Sequence, residues 1–324
     1  LEKGVAWMRY IPWDIQRLPQ LVSLWNSEIG SQFPMTGELF KQNSFEDENI
    51  LPEGSLIAIN DEDQVAGFIV SKCWREKINI SIDQETGWIQ VLLVRSSFRR
   101  RGIGSALLRE AESALREHNC KRVLLGRDPY HYFPGVPIEY ERTRSWFEHK
   151  GYHSGEKESD LIHHYMPHEK SFRNELDDIK ISLLRVEEKE TLLSFLRRCF
   201  PGRWEYEAFH YFKRGGNGRE FVVIKKAGNI IGFCRINDLN SPFIAQNVYW
   251  APLFKEPLGG IGPLGIDRAE RKNGYGLAIV EAAVSFLRER GIHIIVIDWT
   301  GLTEFYGRLG FQVWKEYQPF YKDL

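Results

Sequence analysis

Six residues of matching type and spacing occur twice in the chain, as Arg99-Arg100-Arg101-Gly102-Ile103-Gly104 and as Arg271-Lys272-Asn273-Gly274-Tyr275-Gly276. Each set lies between an apolar run ("GWIQVLLV" or "GGIGPLGI") and a helix-like run ("SALLREAESALREH" or "LAIVEAAVSFLRERG"). A strand, a glycine turn and a helix start aim free backbone N–H groups and the positive end of a helix dipole at one point. That point favours an anion, most often a phosphate. Glycine permits φ > 0 and close backbone approach, and basic residues add charge for a diphosphate. The candidates for such contacts are Arg99, Arg100, Arg101, Gly102, Ile103, Gly104 and Ser105 in the first set. In the second they are Arg271, Lys272, Asn273, Gly274, Tyr275 and Gly276. For Arg100 and Lys272 a solvated basic face is the other reading.

Other phosphate motifs do not fit. A P-loop needs G-x-x-x-x-G-K-[ST], which neither set has. A dinucleotide fingerprint needs a third glycine, absent from "GIGSAL" and "GYGLAI".

The elements that would position the turns also repeat. Ser55–Ser71 and Glu220–Ile236 each read as a β-hairpin: an apolar run, a polar turn and a second apolar run. Each follows a helical region. The first is "DIQRLPQLVSLWN" with Asp14 as N-cap; the second is "EEKETLLSFLRRCF", stopped by Pro201-Gly202. After each turn, apolar residues at helical spacing predict an amphipathic helix: Leu107, Leu108, Ala111, Ala114 and Leu115, then Ile279, Val280, Ala283, Phe286 and Leu287. Short buried-strand signals follow at Arg122–Leu125 and Ile292–Ile297. Last helices ending in Gly-aromatic follow at Arg144–Tyr152 and Thr303–Phe311. The order β, α, β-β, β, α, β, α, β thus occurs twice, joined by the charged stretch His168–Lys180. Only the first half carries the loop "GRDPYHYFPGVPIEYERT", whose three prolines predict a shaped loop.

The chain of 324 residues is long enough for two domains. At 43% hydrophobic and 27% charged it has a globular composition. A net charge of -1 gives no general attraction to nucleic acid. No apolar run approaches the roughly 18 residues that span a bilayer, and "LEKGVAWMRY" lacks the apolar core of a leader. Cys73, Cys120, Cys199 and Cys234 form no C-x-x-C pair and no zinc spacing. The expectation is a reduced, cytoplasmic setting with no metal, nucleic-acid or membrane partner.

The pattern R-x-x-G-x-G resembles the acyl-CoA pyrophosphate motif, Q/R-x-x-G-x-G/A, of the GNAT N-acetyltransferases. The element order is similar to that family's as well. The resemblance covers nearly the whole chain as two tandem GNAT domains, residues 1–168 and 178–324. It implies an α/β fold in which each domain is a mixed, mostly antiparallel sheet flanked by helices.

The resemblance also implies a chemistry: acetyl-CoA as co-substrate and direct acetyl transfer to a small-molecule amine, without a metal. The pantetheine arm would pair with Val91–Val94, using Leu92 and Val94, and with Leu264–Ile266, using Ile266. A backbone N–H of that strand would polarise the thioester carbonyl. The family's usual general acid is a Tyr four residues before the Gly of Gly-aromatic. Tyr306 stands there before Gly310, but Phe147 takes the place in the first half and cannot donate a proton. The other reading of Tyr306 is a packed helix aromatic. Asp298 is a candidate base or, alternatively, a helix cap.

In the first half Asp128, Tyr130, Glu139 and an exposed loop imidazole, His131, offer other acids or bases. The loop form "DP-H-FPGVP" resembles loops of GNAT domains linked to amino-sugar metabolism. Two functions compete: an enzyme with one half more catalytic than the other, or a non-catalytic CoA-binding sensor or scaffold. The acceptor and the oligomeric state are not legible, because acceptor pockets are built from loops that vary freely on one fold.

Overall fold

The computed structural model describes residues 8–166 and 178–324. Most of the charged join at His168–Lys180 lies outside the described residues, as do residues 1–7 of the stretch read as lacking a leader. Two compact units are present. One comprises residues up to Ile78, Asp83–Glu158 and Tyr317–Leu324; the other comprises Asn79–Ile82 and Ser159–Glu316.

The first half of the chain runs β1 (Arg9–Pro12), α1 (Leu18–Glu28), α2 (Gly37–Ser44), β2 (Leu56–Ile59), β3 (Val65–Cys73), β4 (Thr86–Val94), α3 (Ile103–Glu117), β5 (Arg122–Leu125), β6 (Val136–Pro137), α4 (Glu141–His149), β7 (His153–Ser154) and β8 (Glu158–His164). The second runs β9 (Ile179–Leu183), α5 (Lys189–Cys199), α6 (Arg203–Lys213), β10 (Phe221–Lys226), β11 (Asn229–Asn237), β12 (Leu258–Ile266), α7 (Tyr275–Glu289), β13 (Ile294–Thr300), α8 (Thr303–Gly307), β14 (Gln312–Gln318) and β15 (Phe320–Asp323).

Both expected hairpins form, as β2–β3 and β10–β11. Asp14 caps a 3-10 turn, Ile15–Arg17, rather than α1 itself. The apolar faces read from α3 and α7 lie on the sheets. Leu107, Leu108, Ala111, Ala114 and Leu115 are buried in one core, and Ile279, Val280, Ala283 and Leu287 in the other. Among the described residues no helix is long and apolar enough to cross a membrane.

The sheet order in the first unit is β1-β2-β3-β4-β5-β15-β7, and in the second β14-β8-β13-β12-β11-β10-β9. The pairs β4–β5 and β12–β13 are parallel. The division at 1–168 and 178–324 is corrected here. Strand β8, from the first half of the sequence, pairs with β13, and β15, from the last residues, pairs with β5. The side chains belong where the strands go. Phe320 is buried in the first core and Lys322 Nζ pairs with Glu112 at 2.9 Å, while Leu161 is buried in the second core. A strand pairs with whichever sheet edge accepts it, and neighbourhood in sequence is only the commonest outcome.

Candidate active site

The two glycine turns share one backbone. Arg99 (φ −64°, ψ 161°) and Arg271 (φ −70°, ψ 162°) are extended. Arg100 (φ 61°) and Lys272 (φ 70°) are left-handed without being glycine. Gly102 (φ 81°) and Gly274 (φ 78°) are left-handed again and start α3 and α7 with no side-chain cap. A Cβ at either glycine would meet nothing within 4 Å, so conformation rather than crowding demands glycine there. Left-handed residues followed by an uncapped helix start gather N–H groups into an anion-binding concavity. At Gly104 a Cβ would touch Val94 at an ordinary 3.6 Å, and at Gly276 it would touch Phe305 at 3.5 Å. Packing therefore does not demand these glycines; a Cβ would narrow the approach to the N–H groups.

The arginines also staple the turns. Arg99 Nε donates to the carbonyl of Val94 (2.9 Å), and Arg271 Nε to that of Ile266 (3.2 Å). Arg99 further reaches Glu28 Oε2 at 2.5 Å. Arg101 donates to the Ser97 carbonyl and lies over the Phe98 ring. Asn273 donates to the Glu270 carbonyl. Ile103 buries its side chain in one core; Tyr275 packs in the other with its hydroxyl donating to Asp178 Oδ2 at 3.4 Å. Ser105 is partly buried on the first turn of α3.

Beside each turn two parallel strands part. The β4–β5 ladder ends at Ile89↔Leu125, yet β4 continues to Val94. The β12–β13 ladder ends at Ile261↔Ile297, and β12 continues to Ile266. Leu92, Val94 and Ile266 lie on these continuing stretches. An extended arm with amide groups, ending in a pyrophosphate, fits such an opening next to such a turn. Both long strands are bulged, β4 at Gln90 and β12 at Gly262-Pro263. Pro263 has no N–H, so β12 offers one donor fewer than β4.

What stands at the parting differs between the halves. In the second, the residue after Ile297 is Asp298. It accepts a hydrogen bond from Asn247 Nδ2 (3.0 Å), and Asn247 Oδ1 in turn accepts one from Asn237 Nδ2 (3.1 Å). Gly260 makes room for this, since a Cβ there would lie 2.0 Å from Asn247 Oδ1. A Cβ on Gly262 would lie 3.2 Å from Asp298 Oδ1, which places the carboxylate at the β12 bulge. Burial, then the nearby Asp160 charge, push the Asp298 carboxyl up to about 7. Asp298 does not cap α8, whose N-cap is Leu302. Tyr306 lies on α8 with its ring against Phe305 and Phe311, and burial pushes its hydroxyl above the usual phenol range.

In the first half the residue after Leu125 is Gly126, and Phe147 is packed against Tyr152 and Phe320. The long loop is folded inward. Asp128, Tyr130, His131 and Tyr132 are buried and Glu139 is exposed. His131, read above as an exposed imidazole, is 2% exposed with Nδ1 3.0 Å from the Asp128 carbonyl. The loop's aromatic rings pull it in: Tyr132 and Phe133 pack on Trp25. The Asp128 carboxylate is held by the buried Lys72 ammonium at 2.7 Å, which also holds Asp47 at 2.7 Å. The bulge residue Gln90 spans the rest, donating to the Tyr130 carbonyl (2.9 Å) and accepting from Ser44 (2.8 Å). The sequence reading missed Lys72, Gln90, Asn247 and Asp160, none of which belongs to a local pattern. The glycine pair Gly259-Gly260 was the one signal that a neighbour sits close to β12.

An opened parallel pair beside an anion-binding turn, present twice, defines an acyl-CoA-binding fold. The family described as Acetyltransferase (GNAT) matches residues 19–132 and 189–311, and the chain belongs to it. A curated relative, an uncharacterized N-acetyltransferase of Methanocaldococcus jannaschii, is 26% identical over 141 residues, 41% of this chain and 62% of that protein. The chain thus spans less than two thirds of that relative. Among solved structures, the glucosamine N-acetyltransferase region of a fungal multi-domain beta-N-acetylglucosaminidase superposes with a TM-score of 0.87 at 21% identity. That match covers 99% of this chain and 38% of the fungal one. A tandem GNAT protein from the clavulanic acid biosynthesis pathway superposes with a TM-score of 0.68 at 14% identity, covering 98% of each chain. These likenesses concern the fold.

Proposed function

We propose that the chain is an acetyl-CoA-dependent N-acetyltransferase for a small primary amine, with its chemistry in the second half. The observation that carries this reading is Asp298, a carboxyl at about 7 where β12 and β13 part. An amine reaches the site as an ammonium and attacks only after losing a proton. A base whose pKa lies near the working pH is suited to take it. Tyr306, kept protonated by burial, is the acid for the departing sulfur. Acetyl-CoA would supply the activated acetyl group, held by the turn at Arg271–Gly276 and by the free stretch of β12.

The first half is read as a second cofactor-binding unit without this chemistry. Its turn has the same backbone, but Gly126 and Phe147 stand where Asp298 and Tyr306 stand. The loop carboxylate Asp128 is ion-paired to Lys72. The CoA-binding sensor reading therefore applies to this half.

A hexosamine is the first acceptor class to test, supported by the name of the fungal region. The test is CoA thiol release from acetyl-CoA with glucosamine, aminoglycosides, polyamines and amino acids. Turnover with one class supports the reading, and no release with any amine above solvent hydrolysis contradicts it.

A further inference from the structure

Strand β13 falls out of step with β8 just beyond its ladder with β12. Ile297 pairs with Leu161 and Thr300 with Ser159, so Asp298 and Trp299 together face Asp160 alone. This is a β-bulge, a device that re-aims side chains next to active sites. Trp299 adopts a left-handed conformation (φ 46°) that large residues rarely take. Its N–H donates to Asp160 Oδ1 at 3.0 Å, and Asp160 is 5% exposed. Across the indole lies Arg203, 4.6 Å from the ring centroid and paired to Glu207 at 2.7 Å.

We propose that Asp160 is a positioning residue for Asp298: its carboxylate holds the Asp298–Trp299 bulge in the conformation that presents Asp298 at the opening between β12 and β13, and sets a second negative charge beside it. The proposal rests on the reading of Asp298 as the base. The other groups that act on Asp298 are Glu207 from α6, Asn247 from the 3-10 turn Gln246–Val248, and Tyr306 from α8. Glu207 is balanced by Arg203 and by Arg235, 4.0 Å away. Asp160 and Glu207 disfavour the charged form of Asp298, Asp160 more strongly, and the Asn247 bond favours it. Asp160 sits on β8, in the first half of the sequence, so a reading of each half by itself does not find it.

The test uses the full chain labelled with 13C at the aspartate carboxyl carbons. The Asp298 resonance is assigned by its loss in Asp298→Asn. Asp160→Asn keeps an acceptor for the Trp299 N–H and removes the charge. The Asp298 titration should then move to lower pH by about half a unit or more, as expected when a like charge is removed. Asp160→Ala removes both. Hydrogen exchange at the Trp299 amide should rise at least about tenfold, and turnover should fall by about a hundredfold, the cost of a misplaced catalytic group. An unmoved titration in Asp160→Asn, or unchanged Trp299 exchange in Asp160→Ala, overturns the proposal. Wild-type turnover in Asp298→Asn is the separate result that removes the base reading itself.

Discussion

At the scale of single residues, two carboxylates show how surroundings assign roles. Asp128 lies three residues beyond β5, and Asp298 lies within β13 just past its ladder with β12. Asp128 is clamped to the buried Lys72 ammonium, which Asp47 also holds. Asp298 is buried away from water and has the Asp160 carboxylate near it, with only a neutral amide as its hydrogen-bond donor, so it resists ionising until about pH 7. A carboxyl raised by folding binds its proton more tightly in the native state than in the unfolded chain. Its contribution to stability is thus full below about pH 4 and lost as pH rises towards 7. Asp298→Asn removes that penalty. In urea melts it should be more stable than wild type by up to about 4 kcal/mol at pH 8, an advantage that shrinks as pH falls towards 4. Tyr306→Phe keeps the ring packing and removes the hydroxyl. It should lower kcat by roughly ten- to a thousandfold with CoA affinity unchanged. Equal turnover in Tyr306→Phe would make Tyr306 a packing residue.

At the scale of elements, the turns were legible because spacing encodes their backbone. Glycines three and five residues after an arginine put left-handed backbone and an uncapped helix start in fixed places, twice. Hairpins and amphipathic helices were legible for a similar reason, through periods of two and 3.6. The proposed base, Asp298, was marked only by its place after a strand signal, since nothing in "IDWTG" marks a bulge; that depends on Ser159 and Leu161, far away in the chain. Because both turns have one geometry, calorimetry of the intact chain should show two equivalents of CoA. Gly102→Glu sets a carboxylate at the first turn and in a left-handed conformation. It should remove one equivalent without unfolding the protein. A stoichiometry of one in the wild type, unaffected by Gly102→Glu, would show that the first turn does not bind.

At the scale of the whole chain, the repeat was legible but its pairing was not. Local patterns predict a last strand in each half, and both exist. They do not reveal which of two similar sheets receives it. The register Tyr321↔Leu124 and the burial of Phe320 make the last five residues part of the core around α3. Phe320→Ala should therefore cost about 3–5 kcal/mol in the unit that carries the first turn, as for a buried aromatic removed from a core. A calorimetric trace in which only the other unit's transition shifts would contradict the exchanged pairing.

The central claim is that the second half carries out acetyl transfer with Asp298 as its base. It is tested most directly by the rate of CoA release with an accepted amine, measured from pH 5 to 9 for wild type, Asp298→Asn and Asp128→Asn. In the wild type kcat/KM should rise with pH through about 7, where Asp298 loses its proton, and then level off. Asp298→Asn should lose that limb and run about a hundredfold or more slower at pH 7.5, while Asp128→Asn keeps both the limb and most of the rate. A wild-type profile in Asp298→Asn, or a dead Asp128→Asn that still folds and binds CoA, would place the chemistry in the other half.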